Sequence, residues 1–144
     1  MTKLRELDLQ TNQFEGLIPT ELGNLNALQT LVARDNNLNG ELPASLENLS
    51  NLTYIDISQN NFSGNFPDII HLPNIERIYV YDNPLLVTEI PTDLDQLTQL
   101  RSYHIDYTAT DLNGLMTTIL MGGSNNVFKN NTMHKLGASA TLNP

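Results

Sequence analysis

The 144-residue chain contains no cysteine and no tryptophan. The first absence excludes a disulfide framework, a thiolate metal site and a cysteine nucleophile, and it leaves the redox compartment unmarked. The second, with aromatic residues at only 6%, leaves a core to be built mainly from Leu and Ile. Positive charge is also scarce, with 7 Lys and Arg against 16 Asp and Glu, a formal net charge of -9. Such a balance repels phosphate backbones and anionic membrane surfaces, so nucleic acid is not an expected partner. Long apolar runs are missing too. Nothing approaches the ~20 residues needed to span a bilayer, and the opening "MTKLRELDLQ" carries Lys3, Arg5 and Glu6 where a signal peptide would be apolar. Direct membrane insertion is therefore not expected, and the length suits one domain.

What is present is a repeat. "LRELDLQTNQFEGLIPTELGNLNA" from Leu4 returns as "LQTLVARDNNLNGELPASLENLSN" from Leu28 and as "LTYIDISQNNFSGNFPDIIHLPN" from Leu52. Two looser copies start at Ile75 and Leu100, so the starts lie 24, 24, 23 and 25 residues apart. Five units then fill residues 1–123, leaving 124–144 as a tail. Each unit opens L-x-x-L-x-L, an alternation that reads as a short strand with one buried face. A Gly follows at Gly16, Gly40 and Gly64, and a Pro at Pro19, Pro43, Pro67 and Pro91. Because Pro fixes φ and donates no hydrogen bond, this second half is expected to return the chain through turns and short 3-10 segments. One unit cannot bury its own Leu residues; stacked units can.

An Asn closes each of the first four strands: Asn12, Asn36, Asn60 and Asn83. Its side chain carries a carbonyl and an amide, so it can satisfy turn backbone groups that would otherwise cost about 1–3 kcal/mol each when buried. Repeated at one phase, these side chains are expected to form a structural ladder.

With these residues in view, the units resemble leucine-rich repeats. The second halves "GLIPTELGNL" and "GELPASLENL" are similar to the plant-type subclass found in receptor-kinase ectodomains, receptor-like proteins and polygalacturonase-inhibiting proteins. The resemblance implies an α/β-type solenoid: a right-handed coil with a short parallel sheet on the concave face and turns or 3-10 segments on the convex face. It also implies binding rather than catalysis, no cofactor, and an extracellular or cell-surface setting. The fourth unit departs from the pattern with "NPLLVTEIP" where Gly would sit. The fifth has Thr108 at the Asn phase and Thr117 at the Pro phase, so both coils are expected to be distorted. The cysteine-paired cap usual in such ectodomains is missing, which suggests a segment of a longer array or a truncated product. The Asn-, Ser- and Thr-rich tail reads as a degraded sixth coil, a cap or a disordered end.

Residues between the buried positions of each strand point to the concave face. They are Glu6, Asp8 and Gln10; Thr30, Val32 and Arg34; Tyr54, Asp56 and Ser58; Arg77, Tyr79 and Tyr81; and Ser102, His104 and Asp106. Tyr and Arg are enriched at binding hot spots. The candidate ligand-binding set is therefore Arg34, Tyr54, Asp56, Arg77, Tyr79, Tyr81, His104 and Asp106, with Tyr107 just beyond. Five strands at ~4.8 Å spacing and three outward positions on each give only about 300 Å² of face. A standard protein interface takes ~800 Å² per partner, so the strip alone suits a peptide or oligosaccharide.

Ser102, His104 and Asp106 are triad residue types on one strand, but the sequence offers neither a strained nucleophile turn nor an oxyanion hole. His71 and His134 lack metal-ligand spacing, and Asp82, Asp93 and Asp95 lack calcium-loop spacing. Asn48, Asn51, Asn61 and Asn130 begin N-x-[ST] glycosylation triplets, yet 19 Asn and 21 Ser plus Thr would produce about three such triplets by chance. Two functions follow. One is a non-catalytic recognition module that binds a protein, peptide or glycan, or a wall-degrading enzyme, as part of a receptor-like or inhibitor protein. The other is a structural spacer that makes end-to-end contact with further repeats.

Overall fold

The L-x-x-L-x-L stretches become strands, and stacking supplies the partners that no single unit contains. The computed structural model describes residues 3–68, 71–88, 97–104, 106–107, 132–135 and 138–141. The first unit contributes β1 (Glu6–Asp8) and β2 (Glu15–Gly16), and the second β3 (Thr30–Val32) and β4 (Asn37–Glu41). The third contributes β5 (Tyr54–Asp56) and β6 (Asn61–Asn65), and the fourth β7 (Arg77–Tyr79) and β8 (Leu85–Val87). Next come β9 (Ser102–His104) and β10 (Asp106–Tyr107), and towards the end of the chain β11 (Thr132–Lys135) and β12 (Ala138–Thr141).

Strands β1, β3, β5, β7 and β9 form one parallel sheet in that order. Its register aligns Leu7, Leu31, Ile55, Ile78 and Tyr103 in a single inward row. Leu31, Ile55 and Ile78 are fully buried together with Leu28, Leu52 and Ile75, which open their units. In the first unit the same positions are shallower: Leu4 is 37% exposed, and Leu7 and Leu9 are half-buried. Tyr103 is a phenol where the other units carry Leu or Ile. Burial there pushes its pKa well above the ordinary tyrosine value.

A second parallel sheet, β2-β4-β6-β8, runs beside the first and is the feature that pattern reading missed. Pro does not interrupt it, because β4 ends at Glu41, ahead of Pro43. Gly16, Gly40 and Gly64 sit in these strands at φ of 89°, 77° and 73°, the left-handed region that glycine enters without strain. The fourth unit keeps the strand without a Gly, since Leu86 of β8 pairs with Gly64 of β6. Beyond Pro19 and Pro43 the chain makes the expected 3-10 helices, Thr20–Asn24 and Ala44–Asn48. These pack so tightly that a Cβ on Gly23 would lie 2.3 Å from the Ser45 carbonyl oxygen.

The Asn residues bind the units across the turn between the two sheets. Asn60 donates from Nδ2 to Ile57 and Ser58 oxygens in its own unit, and to Ala33 O of the preceding unit at 3.0 Å. Its Oδ1 accepts the Leu38 N–H. Asn36 repeats the arrangement with Leu9 O and the Phe14 N–H, and Asn83 repeats it with Ile57 O and the Phe62 N–H. Asn12, exposed, makes the within-unit bonds to Leu9 O and Gln10 O. The residue before each Asn takes positive φ: Thr11, Asp35, Gln59 and Asp82, at 54–58°.

The fifth unit beyond His104, including Thr108 and Thr117, lies mostly outside the described residues. Within 124–144, β11 and β12 pair antiparallel, and β11 pairs parallel with β10.

Candidate functional site

Register converts the concave strands into three lateral rows. The first reads Glu6, Thr30, Tyr54, Arg77, Ser102, and the next outward row reads Asp8, Val32, Asp56, Tyr79, His104. By strand alternation Gln10, Arg34, Ser58 and Tyr81 continue the face beyond the paired residues.

Tyr54, Tyr79 and His104 come together as one aromatic array across three adjacent strands. The rings of Tyr54 and Tyr79 meet edge to face with centroids 5.7 Å apart, and the His104 ring stacks on Tyr79 at 4.3 Å and 24°. Aromatic pairs at such separations contribute about 0.5–1.5 kcal/mol beyond their burial, so the platform is held in place before anything binds. All three rings are half-buried, as is Tyr81. Arg77 stands beside Tyr54, exposed; its backbone N–H donates to Thr53 O, and its guanidinium makes no hydrogen bond or ion pair among the described residues.

Asp56 departs from the expectation of an open-face carboxylate, being 5% exposed. Its Oδ1 accepts the Ser58 N–H at 3.1 Å and the Ser58 hydroxyl at 2.5 Å, while its Oδ2 faces the Tyr54 hydroxyl at 3.4 Å. Ser58 is itself wholly buried, and Val32 is buried in the same row as Asp56. Alternation decides which face a residue leaves the strand on, but not what covers it. Strands ~4.8 Å apart that carry Tyr leave a short side chain between them with little solvent. Asp56 thus acts as a support beneath Tyr54. Burial, then the Asp56 charge, then Tyr79 and the Asp56 hydrogen bond push the Tyr54 phenol up to about 12, with Arg77 pulling the other way.

Arg34 is exposed, and its Nε donates to Gln59 Oε1 at 2.9 Å. Sequence reading passed over Gln59 because it lies one position past the outward row, at the positive-φ corner; the 25-residue offset from Arg34 was the available signal. Asp106 lies in β10 in register with His134 of β11, and its side chain, with its relation to Ser102 and His104, is outside the described residues. Among the described residues no group of three His, Asp or Glu converges as metal ligands, and no helix is long and apolar enough to cross a membrane. His71 faces Glu47 at 3.5 Å on the surface.

A profile of the leucine-rich repeat region family matches residues 1–132. Among solved structures the chain is similar to the plant peptide hormone receptor RGFR1 in complex with RGF2, at 30% identity and a TM-score of 0.68, covering 72% of this chain and 17% of that one. It is similar to the LRR ectodomain of the receptor kinase SOBIR1 from Arabidopsis thaliana, at 30% identity and TM-score 0.66, covering 74% and 56% respectively. It is also similar to the Arabidopsis receptor kinase HAESA in complex with the peptide hormone IDA and the co-receptor SERK1, at 26% identity and TM-score 0.68, covering 92% and 22%. The chain thus spans between 17% and 56% of the length of these structures. No curated protein matches it.

Proposed function

The chain belongs to the leucine-rich repeat proteins, of the plant type, and from that premise we propose that it is a non-catalytic recognition module of an extracellular, receptor-like protein. Its concave face takes an extended peptide or a peptide segment of a protein. The observation that carries this reading is the array of Tyr54, Tyr79 and His104, flanked by Tyr81 and the exposed Arg77. Rings already packed on one another lose little side-chain freedom when a ligand settles on them, and Tyr and Arg are the residues that dominate binding energy where they cluster. Among the similar structures, RGFR1 is a plant peptide hormone receptor and HAESA is in complex with the peptide hormone IDA, which supports a peptide over a glycan as the first class to test.

The test uses a displayed library of random linear peptides selected on the full chain, with the enriched sequences resynthesised for titration. Replacing Tyr79 and Arg77 together by Ala should weaken these peptides at least about tenfold while leaving the melting curve cooperative. Peptides that bind the double variant with unchanged affinity would sink the concave-face reading. A chain that enriches no peptide would sink the peptide class.

A further inference from the structure

Four Asn residues begin N-x-[ST] triplets, and the fold treats the three described ones differently. Asn48 ends the 3-10 helix Ala44–Asn48 and Asn61 begins β6; both are exposed, and neither side-chain amide has a hydrogen-bond partner among the described residues. Asn51 is also exposed, but its Nδ2 donates to Asn26 O of the preceding unit at 2.7 Å. The hydroxyl of its own triplet, Thr53 Oγ1, donates to Gln29 O at 3.0 Å. The bond from Asn51 belongs to a second inter-unit series, because Asn74, which begins no such triplet, donates from Nδ2 to Ser50 O at 2.8 Å one unit further on. The Asn51 amide is therefore used as a clamp between units, a role that the repeat imposes independently of any glycan.

We propose that Asn48 and Asn61 carry N-linked glycans and that Asn51 is kept for inter-unit bonding. The donor is a lipid-linked oligosaccharide pyrophosphate. The asparagine Nδ2 forms a bond to the anomeric carbon, the bond from that carbon to the pyrophosphate oxygen breaks, the lipid pyrophosphate leaves with the electron pair, and one amide proton passes to a base. After transfer an amide nitrogen keeps one hydrogen and carries a bulky sugar. At Asn48 and Asn61 the sugar meets solvent. At Asn51 it must be accommodated where the nitrogen approaches Asn26 O within 2.7 Å. Neither Asn48 nor Asn61 lies in the five-stranded sheet, so glycans there leave the Tyr54, Tyr79 and His104 array uncovered.

The full chain, given a secretion signal and produced in a eukaryotic host, allows the test. Glycan release by an amidase converts each occupied Asn to Asp, and peptide mass spectrometry then reads occupancy site by site. Both secreted and retained material should be read, so that a folding failure does not hide the result. Occupancy should be high at Asn48 and Asn61 and several-fold lower at Asn51. In unglycosylated bacterial material, Asn51→Gln should lower the melting temperature by about 2–6 °C, while Asn48→Gln and Asn61→Gln should leave it nearly unchanged. Occupancy at Asn51 equal to or above the other two would overturn the assignment, and an empty Asn48 or Asn61 would overturn it for that site. An Asn51→Gln variant as stable as the parent would remove the clamp.

Discussion

The Nδ2 of Asn60 lies 3.0 Å from the carbonyl oxygen of Ala33, so a side chain of the third unit holds the backbone of the second. The same oxygen accepts from Asn36 at 3.1 Å, and each such carbonyl thereby uses both lone pairs, one within its unit and one across units. Replacing Asn60 by Ala would leave Ala33 O with one bond fewer and strand the buried Leu38 N–H. The expected loss is about 2–4 kcal/mol, against less than about 1 kcal/mol for Asn12→Ala at the exposed equivalent position. Urea denaturation read by circular dichroism measures both. Equal losses would show that the inter-unit bonds contribute nothing beyond the within-unit ones.

Three glycines separate space from backbone strain. A Cβ at Gly23 would meet the backbone of Ser45 at 2.3 Å, and backbone cannot step aside. At Gly40 the nearest atom is the tip of Leu17, a side chain 67% exposed and able to swing away, although φ is 77°. At Gly16 only the φ of 89° opposes a side chain. Gly23→Ala should therefore be the most damaging, by about 2–4 kcal/mol, and Gly40→Ala and Gly16→Ala should cost about 1–2 kcal/mol. A Gly23→Ala variant as stable as Gly16→Ala would contradict the close approach of the two 3-10 helices.

Thr11 offers a gain. It is β-branched and holds φ of 54°, a region where such side chains are strained, whereas its counterpart in the second and fourth units is Asp. Thr11→Asn should stabilise the chain by about 0.5–1 kcal/mol, seen as a higher melting temperature. A fall instead would mean that the Thr11 side chain supports the turn in a way its backbone does not reveal.

Alkaline pH should loosen the fold. The Tyr54 phenol is raised from 10.0 to about 12, and burial raises the wholly buried Tyr103 still further. A folded state that keeps protons which the unfolded chain releases loses stability as pH rises. This contribution is complete below about pH 10 and disappears as pH climbs through 12 and beyond. Following phenolate absorbance, Tyr54→Phe should remove a component that ionises at about pH 12, and Tyr103→Phe should flatten the alkaline loss of stability. A Tyr103→Phe variant that loses phenolate signal near the ordinary tyrosine value of 10.0 while the chain is still folded would contradict the burial of Tyr103.

By itself the sequence determined the period, the inward row from Leu7 to Tyr103, the 3-10 return after Pro19 and Pro43, and the phase of Asn36, Asn60 and Asn83. Each of these follows from rules that act within one unit: alternation along a strand, the missing N–H of Pro, the two-sided hydrogen bonding of Asn. Tertiary structure alone decided what lies between units. It placed β2, β4, β6 and β8 in a second sheet, closed Val32, Asp56 and Ser58 off from solvent, and packed Tyr79 against both Tyr54 and His104. It also separated the clamping Asn51 from the open Asn48, three residues away. The reason is lateral spacing. Partners some two dozen residues apart in the chain become neighbours at ~4.8 Å only once the units stack in register, and the sequence of a single unit specifies the side on which a residue emerges but not the side chain that will stand next to it.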